Sequence, residues 1–138
     1  MRSNILSLAL LVCFAAGCVD KPPASWKRTS SADWKRLEIP ALVDYDKAWT
    51  TVTDVVSRSF DCDTLNKENG YVQTKWIDSW GGKVRDDYFV RLTVKFSTDH
   101  RNVDIRAEAK YEGEDDWELG TDTELQDKVF SDLAAQLK

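Results

Sequence analysis

The most reactive side chains in this 138-residue sequence are Cys13, Cys18, Cys62 and the single histidine, His100. Cys13 and Cys18 stand five positions apart in LVCFAAGCVDKPPASW. Three chemistries compete for them: a disulfide, a metal site, or a thiol that the cell modifies. His100 falls in TDHRN between two strand-like runs, where it reads as a loop residue rather than a general base. No Gly-x-Ser-x-Gly elbow, phosphate-binding loop or His-Glu-x-x-His pair is present. The acidic residues Glu112, Glu114, Asp115 and Asp116 lack the spacing of a calcium loop and read as a solvated turn. The chain thus offers no catalytic residue, no metal site and no cofactor motif, and the expectation is a protein that is not an enzyme.

What precedes Cys18 decides among the three chemistries. Met1-Arg2-Ser3-Asn4 is short and positively charged, and residues 5–16, ILSLALLVCFAA, carry no charge. That run has the length of a secretory signal and falls short of the roughly 20 apolar residues of a bilayer-spanning helix. It ends in Ala15-Ala16-Gly17-Cys18, which resembles a bacterial lipobox, with Ala15 where Leu is commonest. The resemblance implies cleavage before Cys18, lipid on its sulfur and acylation of its new amino terminus. Residues 1–17 are then a removed signal peptide, and Cys18 is a membrane anchor. Several acyl chains give an attachment that one chain does not. Val19 follows the cysteine, so the aspartate that commonly retains lipoproteins at the inner membrane is missing there. The expected location is the outer membrane, facing the periplasm.

With the signal removed, Cys62 is the remaining thiol, and one thiol with one imidazole makes neither a disulfide nor a zinc site. Its neighbours Phe60 and Leu65 suggest that it is buried. Loss of Arg2 leaves 18 basic residues against 24 acidic, a net −6. That balance argues against nucleic acid, which asks for a basic face. Residues 18–43 are rich in Pro, Ser, Lys and Arg and read as a flexible tether, with an end-to-end distance of roughly 25–30 Å. Within it, SWKR at 25–28 recurs as DWKR at 33–36. Disordered segments are poor in aromatics, so Trp26 and Trp34 either fold back onto the domain or anchor a partner. On the second reading Lys27, Arg28, Lys35 and Arg36 pair with the partner's acidic groups.

The elements that must position these residues follow from periodicity. Tyr45, Ala48, Trp49, Val52, Val55, Val56 and Phe60 mark one face of a helix over 44–60, capped by Asp44 or Asp46. LNKENG is a turn, and a strand is expected over 70–78, followed by a loop at Ser79–Lys83. Tyr88, Val90, Leu92, Val94 and Phe96 alternate with Phe89, Arg91, Thr93, Lys95 and Ser97. Val103, Ile105, Ala107, Ala109 and Tyr111 alternate in the same way with Asp104, Arg106, Glu108, Lys110 and Glu112. Both are period-2 strands with one charged face, joined by a hairpin loop. Thr121-x-x-Glu124 forms a capping box for a last helix with Leu125, Val129, Phe130, Leu133, Ala134 and Leu137 as its apolar stripe. The expected fold over 44–138 is α+β: a two-layer sandwich, a three-stranded antiparallel meander with two helices on one face, in the order α-β-β-β-α.

The phrases YDKAWTTVTDVV and NKENGYVQTKW resemble the helix-then-strand unit of the BamC-like lipoproteins, accessory members of the outer-membrane β-barrel assembly machinery. The resemblance covers the anchor, the tether and residues 44–138, with one domain where BamC proper has two. It implies a helix-grip domain behind a lipidated N-terminal segment that lies along a partner, which makes Trp26 and Trp34 contact residues. It carries over no catalytic residue. The functional expectation is therefore a lipid-anchored scaffold in an envelope protein complex. The alternative is a carrier of a small apolar ligand between helix and sheet.

Overall fold

The computed structural model describes residues 21–80 and 83–138; the expected signal peptide, residues 1–17, and Cys18 lie outside the described residues. In chain order the elements are β1 (Trp26–Arg28), β2 (Lys35–Glu38), α1 (Tyr45–Ser57), β3 (Cys62–Asn66), β4 (Tyr71–Thr74), β5 (Ser79–Trp80), β6 (Lys83–Val84), β7 (Tyr88–Phe96), β8 (Asn102–Glu112), β9 (Trp117–Asp122) and α2 (Thr123–Gln136). The two alternating runs form the antiparallel pair β7 and β8, with Tyr88 opposite Tyr111 and Phe96 opposite Val103. This register puts the apolar residues of both runs on one face, with Phe89 the exception on the other, because side chains alternate with period 2.

The three-stranded meander is overturned. Seven strands form one antiparallel sheet in the order β3-β4-β7-β8-β9-β1, with β2 also on β8, and β5 and β6 make a separate ribbon. The reason lies in strand length and in unpaired backbone. β8 is eleven residues long, more than any one neighbour on its far side covers. Its C-terminal half pairs with β9 and its N-terminal half with β2. In the gap between them, Gln126 Nε2 donates to the Ile105 carbonyl at 2.9 Å and Thr121 Oγ1 to the Ala107 carbonyl at 2.7 Å. Backbone groups of a central strand must find partners, and here side chains finish what strands begin. β1 and β2 come from the segment expected as tether, β3 from residues that run into the start of the expected turn, and β9 largely from residues expected as an acidic loop.

Both helices pack on the apolar face. Val52 and Val56 of α1 and Leu125, Val129 and Leu133 of α2 share one core with Val72, Leu92, Val94, Ile105 and Phe96. Each such side chain contributes about 1.5–3 kcal/mol on full burial. Asp44 caps α1, accepting from the Lys47 amide at 2.8 Å. α2 is capped one residue later than the capping box suggests: Asp122 accepts from the Leu125 amide at 2.9 Å, and the Thr121 hydroxyl goes to the sheet instead. Cys62 is half-buried at the sheet edge, where burial pushes its thiol pKa up. Gly70 closes the β3–β4 turn at φ 61°, a left-handed conformation that suits glycine. Among the described residues, no helix is long and apolar enough to cross a membrane.

Candidate interaction surface

The face of the sheet opposite the helices is built by the alternate positions of the same strands. Outward register positions hold Lys27, Arg36, Arg91, Lys95, Arg106 and Lys110 against Glu38, Asp104, Glu108 and Glu112. Basic groups thus outnumber acidic ones six to four on this face, in a chain whose formal net charge is −5. Positive charge is concentrated here against the average.

Aromatic rings hold several of these cations in place. The Arg106 guanidinium lies 4.5 Å from the centre of the Trp34 ring, and that of Arg91 lies 4.5 Å from Trp76. The Lys110 ammonium sits among Trp76, Phe89 and Trp117 at 4.9, 5.1 and 5.1 Å. Phe89 and Trp117 meet edge to face at 5.5 Å. Each cation over a ring adds about 0.5–1 kcal/mol at an exposed site. Glu108 pairs with Arg91 at 2.8 Å and lies 3.6 Å from Arg106. The sequence suggests pairing of Arg91 and Lys95 with Glu108 and Asp104 across the strands. Arg91 does pair so, whereas Asp104 takes Arg36 through two hydrogen bonds, at 2.7 and 2.9 Å. The Arg36 guanidinium holds the Asp104 carboxyl below the usual carboxylate range.

The six residues expected to touch a partner separate into different environments. Trp26 is half-buried in β1, packs against the core and meets Tyr111 at 5.8 Å between ring centres. Lys27 points outward, and Arg28 pairs with Glu118 at 3.0 Å. Trp34 is 43 % exposed on the outer face. Lys35 turns to the helix side, 4.3 Å from the Phe130 ring centre and 2.7 Å from an Asp127 carboxylate oxygen. Arg36 lies on the outer face beside Asp104. Lys27, Trp34 and Arg36 therefore reach the candidate surface, and Trp26 belongs to the folded body. Cys18, the expected anchor residue, lies outside the described residues.

Two features escape sequence reasoning. His100 adopts φ 57° and stacks on Tyr45, with ring centres 3.7 Å apart. Asp122, fully buried, gathers three donors on one oxygen: Tyr88 OH at 2.7 Å, Ser25 Oγ at 3.1 Å and Trp80 Nε1 at 3.1 Å. Burial first, and then the bond to Asp122, pushes the Tyr88 hydroxyl pKa up. This knot ties β1, β5 and β7 to the start of α2, and it accounts for the order of the N-terminal segment. The helix–sheet interface is filled by fully buried Leu92, Ile105, Leu125 and Leu133. Among the described residues, no group of three or more His, Cys, Asp or Glu is placed to hold a metal ion. No family model and no curated protein matches this chain.

Proposed function

We propose that this chain is a lipid-anchored docking protein of the bacterial envelope, an accessory subunit of an outer-membrane protein complex that binds its partner through the outer sheet face. The observation that carries the docking reading is the set of cations fixed on exposed and half-buried rings there: Arg106 on Trp34, Arg91 on Trp76 and Lys110 among three aromatics. Trp, Tyr and Arg dominate binding hot spots because they bury much area while losing little conformational freedom. The half-buried stems here are ordered before any partner arrives.

The anchor rests on Ala15-Ala16-Gly17-Cys18 and on the charged start and apolar run before it. The resemblance to BamC-like lipoproteins points to the same compartment. Because β1 begins at Trp26 and Ser25 is fixed to Asp122, the lead from Cys18 to Ser25 reaches at most roughly 25 Å. The folded body is thus held close to the bilayer, and its partner is one that meets it there.

Two measurements test this. Cys18→Ala should leave an unprocessed precursor, and normal processing of that variant to a free secreted form would refute the anchor. The lipidated chain should co-purify with an envelope complex, and Trp34→Ala with Trp117→Ala should cut recovery at least tenfold with the melting curve almost unmoved. Unchanged recovery would refute docking through this face.

A further inference from the structure

The outer face is concave where the segment between β1 and β2 meets the sheet. Ser31, Trp76, Arg91, Arg106, Glu108 and Leu119 are among the residues lining a depression of about 200 Å³. Arg106 Nε is buried and has no hydrogen-bond partner among the described residues. An orphaned donor on a cation is costly unless an acceptor comes to it. Four residues along β8, Lys110 is surrounded by rings and forms no ion pair with a carboxylate among the described residues. Between them stands Glu108, which pairs with Arg91 at 2.8 Å and more loosely with the Arg106 Nη2 at 3.6 Å, so that the Arg106 Nε remains without an acceptor among the described residues.

Resting on the docking reading above, we infer that this face recognises an extended acidic segment of the partner protein, with one carboxylate against Arg106 in the depression and a second on Lys110. The spacing fixes the pattern. Arg106 and Lys110 are two same-face steps apart on one strand, roughly 13 Å. An extended partner segment presents its first, third and fifth side chains on one side at the same interval. Its first and fifth residues are therefore Asp or Glu. Its third, opposite Glu108, is uncharged, because a carboxylate there meets a carboxylate. Arg106 suits the first position, since a guanidinium donates to a carboxylate in a planar fork, and Lys110 serves the fifth as a point charge.

A polypeptide is favoured over an anionic membrane for two reasons. The depression is recessed, which a narrow segment enters and a lipid surface does not. Glu38, Asp104, Glu108 and Glu112 are interspersed with the cations on the same face, so a continuous sheet of negative charge meets repulsion where a spaced pair of carboxylates meets none.

The test uses the full-length chain, isotope-labelled in zwitterionic micelles, titrated with terminally blocked pentapeptides. Glu-Thr-Ser-Thr-Glu should give saturable shifts at the Arg106 Nε–H and at the Trp34 and Trp76 indole N–H signals. Affinity should fall at least fivefold for Glu-Thr-Glu-Thr-Glu, and no saturable shift should appear for Lys-Thr-Ser-Thr-Lys. Arg106→Gln should weaken binding about tenfold and Lys110→Gln about threefold, with the melting curves of both variants recorded to show that the fold persists. Equal binding of the acidic and basic peptides, or none of either, overturns the inference. So does binding to phosphatidylglycerol vesicles that depends on Arg106 and Lys110 without peptide binding. If the peptides fail while Trp34→Ala with Trp117→Ala still abolishes co-purification, the acidic-segment chemistry falls and the docking reading stands. If both fail, both fall.

Discussion

Trp26 and Trp34 stand in the same local sequence, each followed by Lys-Arg, eight positions apart, yet they do opposite things. Trp26 packs against Tyr111 and the core, whereas Trp34 lies exposed under the Arg106 guanidinium. An even separation along one continuous strand keeps both on the same face. Here the chain leaves β1, crosses to the other end of β8 and re-enters as β2. After that crossing Lys35 opposes Ile105 on the helix side and Arg36 opposes Asp104 on the outer side. Trp34 precedes Lys35 and falls on the outer side as well. Local composition sets neither fate; strand parity after a turn does.

The sharpest way to break the comparison is to cut what places Trp26 against the sheet. Trp26 and Asp122 are paired residues in the β1–β9 register, and Asp122 holds Ser25, Tyr88 and Trp80 together. Asp122→Ala leaves buried donors without an acceptor and removes the α2 cap, a loss of about 3–4 kcal/mol. Chemical denaturation should show the midpoint falling, and a loss under about 1 kcal/mol would mean that these donors find other partners. Next in size is Trp26→Ala, with a loss of about 2 kcal/mol for a half-buried ring. Gly120→Ala should act in the same direction, because a Cβ there would come within 2.5 Å of Trp26 Nε1. A melting temperature unmoved by either variant would return β1 to the status of a tether.

Trp34→Ala reverses the pattern. Its ring is exposed and stacks on a charge, so stability should change by no more than about 0.5–1 kcal/mol. Recovery of the proposed envelope partner should fall several-fold. The reverse outcome, intact recovery with a fall in stability as large as that of Trp26→Ala, would erase the distinction between the two tryptophans.

The central half of this fold is legible from periodicity alone. β7, β8, α1 and α2 announce themselves through strict alternation or a 3.6-residue stripe, because each buries one whole face. β1, β2 and β3 are three to five residues long, too short for a period to register. β9 is obscured by the acidic turn in front of it, and Gly120, which reads as a turn residue, is there to let the Trp26 indole approach. The outer face was half visible: the charges alternate plainly on β7 and β8. Trp76 and Trp117 gave no sign of their role, since a ring joins a cation on another strand only once the register is known. The knot at Asp122 joins residues 97 positions apart in sequence, and no local pattern encodes that.

The smallest effect concerns the ion pair beside Trp34, and its sign follows from Asp104. Bonding to Arg36 lowers the Asp104 pKa in the folded protein relative to the unfolded chain. A carboxyl with a depressed folded pKa contributes stability that is fully present above its unfolded value, about 3.9, and that is lost as pH falls through the folded value. Asp87, lowered by its bond to Arg85, acts in the same sense. Acidification from about pH 5 downward should therefore destabilise the domain. Arg36→Met should flatten that dependence slightly while leaving stability at pH 7 nearly unchanged, because the Arg36 side chain is 64 % exposed and solvent screens the pair. Arg85→Met is the comparison variant, since the Arg85 and Asp87 side chains are only 26 % and 20 % exposed, and it should flatten the acid limb more. Melting curves at pH 3, 4, 5 and 7 decide the matter. An acid limb unchanged in Arg36→Met would mean that the pair beside Trp34 contributes nothing to the fold, leaving Arg36 free to serve the outer face alone.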